Sequence, residues 1–134
     1  MSELEFVTVR QVMRPEVTEV DGSINVMDAM KIMKRVGATC LIVKKRHEHD
    51  EYGIVLFSDI AKQVIAKDRA PERVNVYEIM AKPVITVRPS MTIRHCARLF
   101  ERFGISHAPV LEDERVIGIV SYYLLALEGL PDLD

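Results

Sequence analysis

The sequence predicts an α+β protein built from two copies of a β-α-β-β-α unit, packed sheet-to-sheet with approximate two-fold symmetry. Three observations carry that expectation. Shifted by 67 positions, the chain aligns with itself. Each half alternates short β-branched runs with apolar residues at three- and four-residue spacing, the marks of strand and helix. One half alone offers a three-stranded sheet with two helices on a face, too little to close its own core.

The repeat comes first because it decides the domain organisation. Between Val7 and Val43 the shift superposes nine identical residues in 37 positions: Val7, Val9, Met13, Val17, Val20, Ser23, Arg35, Gly37 and Val43. Past a loop two residues shorter in the second copy, the shift becomes 65. Gly53-Ile54-Val55 then lies over Gly118-Ile119-Val120. The expected organisation is an N-terminal extension over 1–6, a first repeat over 7–67, a linker over 68–73, a second repeat over 74–129 and a C-terminal tail over 130–134.

Each element has a local reason. The β-branched runs 17–20 and 84–87 read as first strands. Ser23 and Ser90 follow, where a hydroxyl would cap a helix by accepting from its first free N–H groups. The first helix then buries Val26, Ala29, Met30, Met33 and Val36; its counterpart buries Ile93, Cys96, Ala97, Phe100 and Phe103. Gly37 and Gly104 stand where a left-handed residue ends a helix. Strand pairs are expected over 39–43 with 52–57 and over 108–111 with 115–120. Second helices close the copies over 58–67 and 122–128. The polar stretch 68–73, with Pro71, is the linker.

Composition bounds the function. The chain has 134 residues, 49% hydrophobic and 28% charged, which suits a globular protein. Its formal charge of −2 lacks the basic excess of a nucleic-acid binder, so no nucleic-acid partner is expected. No apolar run approaches the ~18–20 residues that span a bilayer, so no membrane partner is expected. The acidic start, Met1-Ser2-Glu3-Leu4-Glu5, reads as neither signal nor transit peptide, and a cytoplasmic location is expected. Cys40 and Cys96 belong to no C-x-x-C pair and read as buried thiols. The seven methionines, Met27, Met30 and Met33 among them, read as core packing. His47, Glu48, His49, Asp50 and Glu51 are competent metal ligands, but they occupy a charged interstrand loop; the expectation is no metal site.

The ordered recurrence of Val12-Met13 with Ile79-Met80, of Gly104-Ile105-Ser106-His107-Ala108-Pro109-Val110, and of the two glycine-led strands resembles the tandem CBS-domain module, or Bateman module. The resemblance covers almost the whole chain. It implies a regulatory module with no catalytic residues, in which the glycine-led strand continues as G-h-h-[S/T]-x-x-D into the second helix. There the helix N-terminus suits a phosphate and the aspartate accepts from ribose hydroxyls. This chain splits that motif. Copy one keeps Asp59 but has Leu56 at the hydroxyl position. Copy two keeps Ser121 but has Leu124 at the aspartate position.

The resemblance also joins the aspartate motif of one copy to the first strands of the other. The favoured ligand cleft would then combine Asp59 with Ile85, Thr86, Ser106, His107 and Pro109. A weaker cleft would combine Ser121 with Thr18 and the Thr39-Cys40 segment. The implied ligand is an adenosine-type compound: AMP, ADP, ATP or S-adenosylmethionine, with no obligatory cofactor. Each polar residue also has a plainer reading: Asp59 and Ser121 as helix caps, His107 as a structural histidine. The alternative function is a structural or protein-interaction dimer whose nucleotide sites have degenerated, with Leu56 and Leu124 filling space. The apolar closing helix and the resemblance together imply a homodimer through Tyr123, Leu124 and Leu127. A regulated protein partner would be met in trans. An enzyme is not expected, since no nucleophile elbow, P-loop or metal-ligand helix motif is present.

Overall fold

The computed structural model describes residues 6–130. The expected extension and tail therefore lie almost wholly outside the described residues. In chain order the elements are α1 (Val9–Val12), β1 (Glu19–Val20), α2 (Val26–Val36), β2 (Cys40–Val43), β3 (Gly53–Leu56) and α3 (Phe57–Ile60). There follow a π-helical turn (Ala61–Ile65), two 3-10 turns (Pro71–Arg73 and Val76–Glu78), α4 (Ile93–Phe103), β4 (His107–Glu112), β5 (Arg115–Ser121) and α5 (Tyr122–Leu127). Helix and strand are mixed as the α+β expectation requires.

The chain forms two compact units. One runs from Thr18 to Val84; the other joins the chain up to Val17 with the chain from Ile85 onward. Each unit is thus a composite: the leading segment of each repeat packs on the body of the other repeat. In the Thr18–Val84 unit, Val26 N–H donates to the Val74 carbonyl at 2.8 Å and Val76 N–H to Ile24 at 2.9 Å. In the other unit, Val9 N–H donates to Met91 at 2.8 Å and Ile93 N–H to Val7 at 3.0 Å. These bonds repeat at the shift of 67, so the same device is used twice.

The Thr18–Val84 unit holds a sheet of order β1-β2-β3, with β1 parallel and β3 antiparallel to β2. Its core gathers Val26, Ala29 and Met33 of α2 against Leu41, Val43 and Val55 of the sheet, closed by Val74, Val76 and Ile79 from the incoming segment. The other unit packs Ile93, Cys96 and Phe100 of α4 against Ala108, Val110 and Val120, closed by Val9 and Val12. Val87 joins that core through one parallel bridge to Val110.

The expected first strand over 84–87 is reduced to this bridge, and Pro109 is the reason. In the first copy, Ile42 N–H donates to the Thr18 carbonyl at 3.0 Å. Pro109 occupies the equivalent position and has no N–H to offer Ile85, so the ladder loses a rung. Only Leu111 N–H to Val87, at 2.8 Å, remains of that pair of donations.

Two further expectations are corrected. The helix caps are Asn25 and Thr92, two residues beyond the serines. Asn25 accepts from Asp28 N–H at 2.8 Å and Thr92 from His95 N–H at 3.3 Å. Ser23 instead donates its N–H to Asp21 Oδ1 at 2.9 Å, a tight turn of its own. Val36 and Phe103 are exposed rather than buried. Apolar spacing continues into the last helical turn, but periodicity marks a face and does not supply a neighbour to cover it. Gly37 and Gly104 do end α2 and α4, at φ 71° and 65°. Cys40 and Cys96 are both buried and neither is in a disulfide; burial pushes the Cys96 thiol up to about 11.

Candidate functional site

The split motif has a direct physical form: it is a capping box divided between the copies. In a complete box, the first residue's hydroxyl accepts from the N–H three residues on, whose own acidic side chain reaches back to the first residue's N–H. At the start of α3 the backward half alone is made: Asp59 Oδ2 accepts from Leu56 N–H at 2.8 Å. At the start of α5 the forward half alone is made: Ser121 Oγ accepts from Leu124 N–H at 3.2 Å. Leu56 and Leu124 sit where the missing halves would be.

The strands deliver these residues to matching places. Cys40 pairs with Leu56 across β2 and β3, and His107 pairs with Ser121 across β4 and β5. Phe57 N–H donates to the Thr39 carbonyl at 3.3 Å, and Tyr122 N–H to the Ser106 carbonyl at 3.2 Å. Ser106, His107 and Ser121, assigned by the sequence to two clefts, are therefore neighbours at one end of the β4–β5 hairpin. Ser106 Oγ lies 2.8 Å from His107 Nδ1. Ser121 is buried and His107 half-buried, and burial lowers the imidazole pKa below its ordinary value.

The remaining predicted residues divide by unit. Thr18 lies with Asp59 in the Thr18–Val84 unit; both are half-buried, and the Thr18 carbonyl is held by Ile42. Ile85 and Thr86 are half-buried in the other unit, and Pro109 is buried there, its carbonyl accepting from Val87 N–H at 3.0 Å. Thr86 also lines an open cavity of about 840 Å³ beside Thr8, Arg10, Arg88 and the acidic turn at Glu112–Glu114. Arg10 and Glu112 form an ion pair on that wall.

Among the described residues no group of three or more His, Cys, Asp or Glu side chains is placed to hold a metal ion. The interstrand loop is nonetheless anchored. Asp50 accepts from Arg46 N–H at 2.8 Å and from Lys82 Nζ at 2.9 Å. The Lys82 ammonium, then the Arg46 N–H, hold the Asp50 carboxyl well below the usual carboxylate range. Sequence reasoning missed Lys82 because the partners are 32 residues apart and no local pattern links them. The capping roles of Asp59 and Ser121 were legible one by one, since both are good cap residues; their being opposite halves of one box was not. No helix among the described residues is long and apolar enough to cross a membrane.

Comparison with known proteins agrees with this geometry. A family model described as CBS domain matches twice, at residues 9–66 and 76–125. The hexameric CBS-CP12 protein from bloom-forming cyanobacteria is similar at 38% identity and TM-score 0.90, over 92% of this chain and 71% of that one. The CBS domain pair of protein MJ0100, solved in complex with 5′-methylthioadenosine and S-adenosyl-L-methionine, is similar at 28% identity and TM-score 0.76. That match covers 89% of this chain and 96% of the other. The CBS domain-containing protein CBSX3, mitochondrial, from Arabidopsis thaliana is 30% identical over 90% of this chain and 63% of its own length. The homoserine O-acetyltransferase of Methanosalsum zhilinae is 37% identical over 87% of this chain but only 23% of its own length. The chain thus spans less than two thirds of the length of the curated relatives it matches. With two matched segments, a twice-used fold and a shared box of helix-capping residues, the chain belongs to the CBS-domain family and carries two CBS domains in tandem.

Proposed function

We propose that the protein is a ligand-sensing regulatory module, not a catalyst, that binds an adenosine-type ligand: AMP, ADP, ATP or S-adenosylmethionine. The observation that carries this reading is the similar MJ0100 domain pair, solved with two adenosyl compounds. Asp59 is the preferred ligand contact and Ser121 a weaker one. A carboxylate at the start of α3 suits a pair of ribose hydroxyls, because it accepts through two oxygens and the cap uses one of them. Binding acts on a protein partner in trans through its differential affinity for two arrangements of the chain.

Thermal shift with each compound tests this. A hundredfold excess of ligand over its dissociation constant stabilises by about 2.7 kcal/mol. Asp59→Ala diminishes the shift far more than Ser121→Ala, once each variant is compared with its own ligand-free baseline. A flat response to every adenosyl compound at millimolar concentration sinks the proposal.

A second reading is a protein-interaction module that works as a homodimer through Tyr123, Leu124 and Leu127. Its support is the exposed apolar face of α5, where Tyr122, Tyr123 and Leu127 are 43%, 66% and 42% exposed. The leucines at the two vacant cap positions favour it as well. Light scattering on the wild type and on Tyr123→Asp decides it: a monomer in both removes the dimer.

A further inference from the structure

We infer that the outward face of α4 is a docking surface for an acidic, helical segment of a protein partner, gripped by Arg94, Arg98 and Arg102. The inference adds a surface and a partner chemistry to the reading of a partner met in trans, and it needs no bound ligand.

The three arginines recur at every fourth position of α4, so they form one row about 12 Å long at ~1.5 Å per residue. All three are exposed. Ile93, Cys96 and Phe100 lie on the opposite side of the helix and are buried in the core, which sets the row on the outer side. Arg98 and Arg102 make no ion pair or side-chain hydrogen bond among the described residues. Glu101 is the only acid on the helix.

Local energetics do not ask for this row. Like charges four residues apart repel, and the row holds two such pairs. A cation in the first turn opposes the helix dipole, yet the first turn of α4 holds Arg94 and His95 and no acid. The other repeat is an internal control, because α2 occupies the same place in it. At the shift of 67, Arg94, His95 and Arg98 lie over Met27, Asp28 and Lys31; only Arg102 has a like counterpart, Arg35. α2 therefore has its acid in the first turn and Lys34 and Arg35 in the last, the order that the dipole favours. The same fold is built there without the row, so folding does not require it.

The chemistry selects carboxylates. Arginine presents a planar fork that meets a carboxylate with two parallel hydrogen bonds, as lysine does not. Arg98 stands where α2 has Lys31. A partner helix with acids at the same four-residue spacing sets one carboxylate against each guanidinium. A nucleic acid fits less well, since the chain's formal charge is −2 and the row is short. A membrane surface fits less well too. Phe103 is the one exposed large apolar side chain of α4, whereas an interfacial helix buries a whole apolar face.

Fluorescence anisotropy on the full chain tests the inference, with a labelled alanine-rich helical peptide carrying glutamate at every fourth position. Binding is expected at low salt and is expected to weaken as salt rises. Arg98→Glu is expected to weaken it roughly tenfold or more. Lys31→Glu on α2, the same charge change at the matching place, is expected to leave it nearly unaltered. Arg98→Glu is also expected to keep or raise the melting midpoint, because it replaces two repulsive pairs by attractive ones. A lowered midpoint would make Arg98 a structural residue and overturn the inference. So would an unchanged affinity in Arg98→Glu, equal losses from the two variants, or tighter binding of a single-stranded oligonucleotide or of phosphatidylserine vesicles than of the peptide. Absence of peptide binding up to millimolar concentration overturns it as well, and leaves the adenosyl reading, which thermal shift tests, standing.

Discussion

Met13 lies directly over Gly118: a Cβ built on that glycine would stand 2.5 Å from Met13 Sδ and 3.0 Å from the Arg14 carbonyl oxygen. The second copy of the arrangement sets Met80 over Gly53, at 2.8 Å from Sδ and 3.3 Å from the Ala81 carbonyl. These glycines bring the leading segment of one repeat against the glycine-led strand of the other. Backbone bridges of Arg14 with Ile119 and of Ala81 with Ile54 hold them there.

That closeness makes the glycines sensitive to a single methyl group. Gly118→Ala is expected to cost on the order of 1–3 kcal/mol by overpacking. Gly53→Ala should cost less, because its neighbouring carbonyl is farther away and the methionine sulfur can swing aside. Urea denaturation measures both. A neutral Gly118→Ala would refute the close-approach account.

The caps give a second prediction. Asn25→Ala and Thr92→Ala are each expected to lose about 1 kcal/mol, the usual value of an N-cap side chain. Ser23→Ala and Ser90→Ala should fall within about 0.5 kcal/mol of wild type, as surface changes away from such features do. Asp59→Ala and Ser121→Ala, which remove half-boxes, should each cost about 1 kcal/mol without any ligand present. Equal losses at Ser23 and Asn25 would contradict the cap assignment.

The turn between β4 and β5 is strained in a way that substitution can relieve. Asp113 and Glu114 both have left-handed φ, 52° and 62°, in a two-residue hairpin connection that favours Asn-Gly. Glu114→Gly is expected to raise stability by up to about 1 kcal/mol, the size of the left-handed penalty for a residue with a Cβ. Thermal melts of the single variant read it; a lowered midpoint would show that the Glu114 side chain contributes more than its backbone costs.

His107 sets part of the acid sensitivity. Its folded pKa lies below the unfolded value of about 6.5, so the unfolded chain binds the proton more readily. The stability this group contributes is present above that unfolded value and is lost as pH falls through the folded pKa. Asp50 acts lower: its contribution is present above the ordinary carboxylate range and is lost only in strong acid. Denaturation midpoints from pH 7 to 5 should therefore fall in the wild type and fall less in His107→Gln. An unchanged slope in the variant would assign the loss to other groups.

Much of this was legible in the chain. Gly37 and Gly104 mark helix ends because only a residue without a Cβ adopts that backbone cheaply, a local constraint that sequence expresses directly. The helix faces of Val26, Ala29 and Met33 follow from spacing alone. The caps were misread by two residues because Ser23 and Asn25 are both good acceptors, and the competing Asp21 turn claims the nearer one. Val36 and Phe103 were misread because spacing describes one helix and burial depends on another element.

By itself, then, the sequence determined the repeat, the order of elements, the helix stops and the split between Asp59 and Ser121. Those features are set within a few residues of each position or by direct likeness of the two copies. Tertiary structure decided which segment closes which core, that Asp59 and Ser121 are opposite halves of one capping device, and that Lys82 anchors Asp50. Pairings such as Val9 with Met91 and Val26 with Val74 join backbone groups far apart in the chain. Backbone hydrogen bonding is the same for every residue except proline, so side-chain pattern carries almost no record of which distant strand or turn will be the partner.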